Sequence, residues 1–456
     1  MHRTEVTGGK TDLFALPWSE EPLPRSRMGP GPMPAREAYQ LVADELALDG
    51  NARQNLATFC GTWFEPEVRG LMADTLDKNL VDKDEYPQTA EIEARCVRIL
   101  ADLWHAEGEG PAVGCSTTGS SEAAMLAGLA LVRRWRARRK ASGQASGTPN
   151  LVCGPVQVCW EKFARYFDVE LRQIPLEPDR TTTDPARVGD FVDENTVGVV
   201  ATLGVTYTGA YEPVQEIAAA LDELRDRTGL DVPVHVDAAG GGFVAPFLEP
   251  GLEWDFRVPR VVSVNASGHK YGLAPLGVGW VVWRDAAALP EELVFHVDYL
   301  GGSMPTFGLN FSRPGGPVIA QYYTLLRLGR EGYRAVQRAC ADTAADLADG
   351  IAELGPFSVL HAGREGLPVT CWTLAADRTE GGWTLYDVAE RLRIRGWQVP
   401  AYPLPADRGD TVVQRVVVRH GVSRDLARLL LEDLRTELAE LRRRGGGAAA
   451  QSGFHH

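Results

Sequence analysis

His269 and Lys270 stand side by side in the polar turn of an otherwise apolar stretch, VSVNASGHKYGLAPLGVGWVVWR, spanning residues 262–284. The runs on either side of the turn read as strands. An amine held between such walls is desolvated, which disfavours its charged form and leaves a nucleophile that can condense with an aldehyde. Gly-His-Lys alone would read as a solvated surface loop. A second run, Val234-His235-Val236-Asp237-Ala238-Ala239, changes that reading, because it has the pattern of a short buried strand ending in a carboxylate. An Asp at such a position can keep a pyridine nitrogen protonated, so that the ring accepts electrons. A strand-end Asp and a strand-end Lys together suit pyridoxal phosphate (PLP).

A third segment, Thr117-Thr118-Gly119-Ser120-Ser121-Glu122-Ala123, opens a helix that runs to about Lys140. Its small hydroxyl residues are typical caps. The unpaired N–H groups of a helix start beside two serines can hold a phosphate, although an N-cap without ligand is the commoner meaning of such a stretch. The basic end of this helix, from Arg133 to Lys140, faces the helix dipole and reads as a solvated face.

These groups need a frame. Thr196–Tyr211 reads as a buried strand running into a Gly/Thr-rich turn, and 151–174 as strand, helix, strand. The strands at 196–202, 232–236 and 261–264 alternate with helical stretches such as 214–228. Alternation of this kind predicts an α/β fold with a mostly parallel sheet and ligands at the carboxyl ends of its strands. Thr206, Asp237, Ser267, His269 and Lys270 all fall just past such ends. From about Cys340 the pattern is that of a small α+β domain. Its final helix, 423 to about 443, carries Leu430, Leu434, Leu438 and Leu441 as a core stripe.

Composition limits the alternatives. The chain has 456 residues, 44% hydrophobic and 24% charged, enough for two or three structural units with a large core. A net charge of −14 argues against a general nucleic-acid binder. The seven cysteines are scattered without a CxxC, which indicates buried free thiols rather than a disulfide framework or a metal site. The start lacks the apolar core of a signal peptide and no run has membrane-spanning length, so a cytoplasmic enzyme is expected.

In order along the chain, from about Leu48 to Arg419, these segments resemble the PLP-dependent glutamate decarboxylases of bacteria and plants. The resemblance implies fold type I of the PLP-dependent transferases: a large domain with a seven-stranded sheet, plus a small C-terminal domain. It divides the chain into an arm and helix with subunit contacts (1–53), a PLP domain (54–340), a small domain (341–444) and a flexible tail (445–456). It assigns Lys270 to the cofactor aldehyde and Asp237 to the ring nitrogen, with His269 contacting phosphate, assisting proton return, or serving only as a structural neighbour. Ser120, Ser121, Gln157, Thr206, Ala239, Ser267 and a partner subunit's Ser312 complete the cofactor set.

For substrate, it implies that Thr58, Phe59 (through its backbone), Asn79 and Asp82 receive the distal carboxyl of glutamate. Read alone, Asn79 and Asp82 are solvated loop residues. Arg415 would hold the α-carboxylate, with Arg419 a second choice. The 292–313 segment would be a mobile loop near a dimer interface, with Tyr299 either a helper in proton transfer or a packed side chain. Within the tail, Phe454-His455-His456 resembles an ending in which His456 could act as a pH latch; an inert tail or a cloning remnant is the alternative. The implied reaction turns glutamate into 4-aminobutanoate and carbon dioxide and consumes a proton, which could serve acid resistance. Rival readings are a related PLP decarboxylase or lyase acting on an aromatic amino acid or aspartate, and a catalytically silent scaffold.

Overall fold

The computed structural model describes residues 26–29, 31–106, 112–297, 304–375, 382–405 and 407–444. The tail with His456, the first part of the N-terminal arm, and Tyr299 lie outside them. The chain divides into two compact units, residues 1–54 and 55–456. In the first, helix α1 (Ala35–Leu46) occupies the expected helical stretch and buries none of its residues.

The second unit is built on a seven-stranded sheet. Its strands are β1 (Val113–Thr117), β2 (Asn150–Cys153), β3 (Glu170–Gln173), β4 (Thr196–Thr202), β5 (Val234–Asp237), β6 (Val261–Ser267) and β7 (Gly279–Trp283). They lie in the order β1-β7-β6-β5-β4-β2-β3. The central strands pair in parallel, and β7 alone runs against its neighbours. Strands buried on both faces need apolar residues at both parities. Val199, Ala201, Val234, Val236, Val264, Ala266, Trp280 and Val282 accordingly enter one core. Residues of the opposite parity, such as Val200, Leu151 and Cys153, enter another beneath α4 (Ser120–Ala141) and α5 (Val158–Tyr166).

The remaining helices of this part are α2 (Pro66–Asp74), α3 (Pro87–Leu103), α6 (Val214–Thr228) and α7 (Ala245–Leu248). A hairpin of β8 (Phe295–Val297) and β9 (Met304–Thr306) precedes α8 (Gly316–Glu353). Helix α8 carries the chain through position 340 without a break; its one kink lies at Gly329, where φ is 56°. Glycine has no Cβ to oppose that conformation. Beyond α8, a four-stranded antiparallel sheet contains β10 (Phe357–His361), β11 (Val369–Leu374), β12 (Ala401–Pro403) and β13 (Val412–Val417), in the order β10-β11-β13-β12. Helices α9 (Leu385–Ile394) and α10 (Arg424–Arg444) complete this part, and the expected stripe of Leu430, Leu434, Leu438 and Leu441 is buried in its core.

All seven cysteines are unpaired and all but Cys60 are buried, which pushes thiols such as Cys115 and Cys153 well above their ordinary range. Among the described residues no helix is long and apolar enough to cross a membrane.

Candidate active site

Lys270 sits in the connection between β6 and β7, at the carboxyl end of the parallel strands. Its Nζ lies 5.1 Å from the ring centre of Phe59. Burial lowers its pKa, and the nearby Asp237 charge opposes that shift without cancelling it. The result is an amine closer to its neutral, nucleophilic form. The kinked α8 holds this turn from both sides of Gly329. Gln321 and Tyr333 donate to the Gly272 carbonyl at 2.9 and 2.8 Å, and Gln337 donates to the Tyr271 carbonyl at 2.8 Å. Within the turn, Leu273 has φ of 64°, a left-handed conformation costing a side chain roughly 1–2 kcal/mol. The clamp and the burial of Leu273 offset that strain.

Asp237 ends β5 and is 4% exposed, so every oxygen lone pair needs a partner. Trp160 Nε1 donates to its Oδ2 at 2.8 Å; Asn265 Nδ2 and the Ala239 N–H donate to Oδ1, each at 3.1 Å. A carboxylate offers about four acceptor sites. Three are taken, and one remains for a ring N–H. Nothing in the sequence reading singled out Trp160 or Asn265. The signal available was β-strand alternation in VHVD and SVNAS, which puts His235, Asp237, Ser263 and Asn265 on one face of the sheet.

At the other end of the site α4 begins. Ser267 Oγ and Ser120 Oγ meet at 2.7 Å, Ser121 is exposed in the first turn, and Glu122 accepts from Thr118 N–H and Oγ1 at 2.7 and 2.8 Å. The helix start thus presents hydroxyls and backbone N–H groups, as a phosphate requires. Its backbone is packed directly on β7: a Cβ at Gly279 would stand 2.7 Å from Gly119 Cα and Ser120 N. Gly279→Ala is therefore expected to push the α4 start away. Affinity for added PLP, measured by absorbance titration of the apoprotein, should fall by about tenfold, as for one lost charged hydrogen bond. Unchanged affinity would show that this end does not hold the phosphate.

Arg415, on β13, reaches the lysine from the small sheet. Its guanidinium carbon lies 4.5 Å from the Phe59 ring centre and 5.8 Å from that of Tyr402. Nη2 donates to the Ala57 carbonyl at 3.4 Å, while Nε and Nη1 are buried and make no hydrogen bond. Two buried donors on a cation are an incomplete carboxylate site. Thr58 and Phe59 belong to the same loop, where Thr58 Oγ1 accepts from Cys60 N–H. Arg419 donates to the Asn55 carbonyl at 2.9 Å, which anchors that loop.

The other predicted residues stand differently. Asn79 bonds Ser312 Oγ at 3.4 Å and accepts from the Val81 and Arg313 N–H groups, so its hydrogen bonds run to the 312–313 segment rather than to Lys270 or Arg415. Asp82 lies in the same loop, its N–H on the Asn79 carbonyl. Gln157 caps α5, its side chain accepting from Cys159 N–H at 2.7 Å. Thr206 sits in the turn after β4, and Ala239 beside Asp237.

His269 is 9% exposed with an unpartnered Nδ1, and a Cβ on Gly119 would stand 2.9 Å from its Cε1. Burial, helped by the Lys270 charge, lowers its pKa to about 4; burial does the same to His235, against the pull of Asp237. The unfolded values are near 6.5, so between these limits the unfolded chain binds more protons. Stability from these rings is therefore complete above about pH 6.5 and lost as pH falls towards about 4. Tm of the apoprotein, followed down that range, is expected to drop, with a shallower slope in His235→Gln. Parallel slopes would show that His235 does not titrate on unfolding.

Residues 30–375 match the family model of the pyridoxal-dependent decarboxylase conserved domain. The chain belongs to that family. The site's donor set fits the cofactor: a desolvated amine, an Asp with one open lone pair, and a hydroxyl-rich helix start. A glutamate decarboxylase of Aliivibrio fischeri is 56% identical over 438 residues, covering 95% of this chain and 94% of the relative. One from Solanum lycopersicum is 50% identical, covering 94% and 85%. Among solved structures, a Lactobacillus brevis glutamate decarboxylase aligns with a TM-score of 0.91 at 47% identity, over 94% of this chain and 98% of that one. Among more distant family folds, a Burkholderia pseudomallei sphingosine-1-phosphate lyase reaches a TM-score of 0.78 at 24% identity over 94% of this chain, a likeness of fold alone.

Proposed function

We propose that this enzyme removes the α-carboxyl group of L-glutamate, releasing carbon dioxide and 4-aminobutanoate with uptake of one proton. The observation that carries the reading is the Arg415 guanidinium, with Nε and Nη1 buried and unpaired, 4.5 Å from the centre of the same Phe59 ring that the Lys270 amine approaches to 5.1 Å. A desolvated amine and an open carboxylate receptor so placed suit an amino acid. The near-full-length identity to glutamate decarboxylases names which one.

When bound, PLP supplies an aldehyde to capture an amine and a protonated ring that accepts the electron pair left as carbon dioxide departs. The protein's residues do the rest. Lys270 holds the cofactor and yields to the substrate amine. Asp237, kept as an acceptor by three donors, holds the ring nitrogen's proton. Arg415 would fix one substrate carboxylate and so orient the α-carbon. Phe59 and its neighbours exclude water, which strengthens each of these charges. His269, with a free Nδ1 beside the lysine, is placed to contact phosphate or move the proton that replaces the carboxyl group.

Thr58, the Phe59 backbone, Asn79 and Asp82 receive the distal carboxyl, Asp82 doing so when one of the two acids is protonated. Because Asn79 is engaged with Ser312 and Arg313, Asn79, Asp82 and Ser312 reach the site from a second subunit. The working enzyme is then a homodimer or a larger assembly, up to a hexamer, in the cytoplasm. His456 is proposed as a pH latch on the same site.

The test is carbon dioxide release from glutamate, aspartate and tyrosine with added PLP across pH 4 to 8, with 4-aminobutanoate measured as the glutamate product, for the whole chain and for one ending at Ala450. Turnover of glutamate alone supports the reading; turnover of either other substrate in its place overturns it. Activity that persists to higher pH only in the shortened chain supports the latch, and coincident profiles remove it.

A further inference from the structure

The face of the sheet beneath α5 carries a polar stripe in otherwise apolar surroundings. Strand alternation puts His235 and Asp237 on that face of β5, and the register pairs them with Ser263 and Asn265 of β6. The side chains join in a line. Ser263 Oγ meets His235 Nδ1 at 2.8 Å, His235 Nε2 meets Asn265 Oδ1 at 2.7 Å, and Asn265 Nδ2 donates to Asp237 Oδ1 at 3.1 Å. Ser263, His235 and Asn265 are each at most 1% exposed. The acceptor-only carboxylate sets the direction. The Asn265 amide must turn its N–H towards the carboxylate, so its oxygen accepts from His235 Nε2–H. His235 Nδ1 is then the acceptor for the Ser263 hydroxyl. Every proton in the line points towards Asp237. The Trp160 indole closes the arrangement, donating to the other carboxylate oxygen while its ring packs 5.2 Å from that of His235.

We infer that His235 is a positioning residue for the cofactor, acting through Asn265 to fix the rotamer of Asp237. This rests on the assignment of Asp237 to the cofactor's ring nitrogen. Two features make the role more than packing. An apolar residue of similar size would leave Asn265 Oδ1 buried and unpaired, so the amide would lose its second anchor. Its N–H would then be held less firmly on the Asp237 carboxylate. The line also passes through one neutral imidazole, so a single substitution can interrupt it without introducing charge.

The test compares His235→Leu, which breaks the line, with His235→Gln, whose amide can donate to Asn265 in the same direction; Ser263→Ala removes only the first donor. Three quantities are read: the dissociation constant of PLP from the apoprotein, by absorbance titration; kcat and KM for glutamate; and Tm of the apoprotein. His235→Leu is expected to weaken PLP binding by about tenfold and to lower kcat by at least as much, as for one lost buried hydrogen bond to a charged group. KM should stay within about twofold, because the substrate carboxylates are held elsewhere. His235→Gln is expected to recover most of both losses, and Ser263→Ala to show a smaller loss of the same kind. Wild-type PLP affinity in His235→Leu would overturn the inference. So would equal losses in the Gln and Leu variants, or losses that track Tm alone, since these mark a packing role. If His235→Leu does not fold, Ser263→Ala decides: unchanged PLP affinity overturns the inference. A wild-type protein that binds PLP without turning over glutamate would defeat the proposed function, while the titrations would still judge the role of His235.

Discussion

Replacing Lys270 with alanine is expected to lower kcat by roughly a thousandfold or more, the scale on which activated nucleophiles and proton-transfer groups contribute. The same variant should bind PLP without fixing it to the chain, so that after borohydride reduction and denaturation no pyridoxyl group stays on the protein, whereas wild type retains it as a secondary amine. The more informative substitution is Lys270→Arg. Arginine keeps the positive charge and the length of the side chain, but it cannot become a neutral amine. In wild type the lowered pKa of Lys270 comes first from burial, with Asp237 pulling the other way. If that environment exists to produce a nucleophile, arginine should be as inactive as alanine. If Lys270 supplies only charge, arginine should retain much of the activity. Peptide mapping after reduction of the wild-type protein gives a second reading, since the label must fall on Lys270.

Substitution of Arg415 by methionine should move activity and stability in opposite directions. In the substrate-free protein the guanidinium has two buried donors without hydrogen-bond partners, each left unmade at a cost of about 1–3 kcal/mol. Methionine keeps contact with the Phe59 and Tyr402 rings and removes those donors. Stability should rise by about 1 kcal/mol or more, read as a higher Tm. Loss of a bidentate charged pair with a carboxylate should raise KM for glutamate by roughly 10- to 150-fold, from about 1.5–3 kcal/mol. A fall in both Tm and activity would show that Arg415 is a structural cation, and unchanged KM would place the carboxylate elsewhere. Opposed shifts of this kind mark a residue kept for function at a cost in stability.

Much of this was legible in the sequence because the chemistry sits at strand ends. Apolar runs bounded by polar turns located β4, β5 and β6, and Asp237, Ser267 and Lys270 follow at once from where those runs stop. The helix start at Ser120 was equally plain. Single residues were harder to read. Trp160 and Asn265 hold Asp237, yet an α5 tryptophan reads as core and a strand asparagine between valine and alanine reads as an oddity; only the parallel register of β5 with β6 makes them neighbours. Arg415 and Arg419 lie on one run, and periodicity does not say which lies against the Phe59 ring and which is tied to the Asn55 carbonyl. That difference comes from the path of the 55–63 loop. Asn79 and Ser312 are far apart in sequence and meet through a loop-to-loop contact that has no sequence pattern.

The same loop has a consequence for how such an enzyme changes over generations. It is fastened at several points by its backbone: Leu56 to Gln398 and Val417, Asn55 to Arg419, Ala57 to Arg415, and Gly61 to the carbonyl of His269. None of these bonds uses the side chain of a loop residue. The path of the loop is therefore fixed by its main chain, and a side chain such as that of Thr58 can change without unfastening it. On the proposed assignment of Thr58 to the substrate, a new amino acid is reached by exchange of such side chains, while Lys270, Asp237 and the α4 start are kept. Modularity of this kind lets substrate preference drift quickly on a slowly changing catalytic frame.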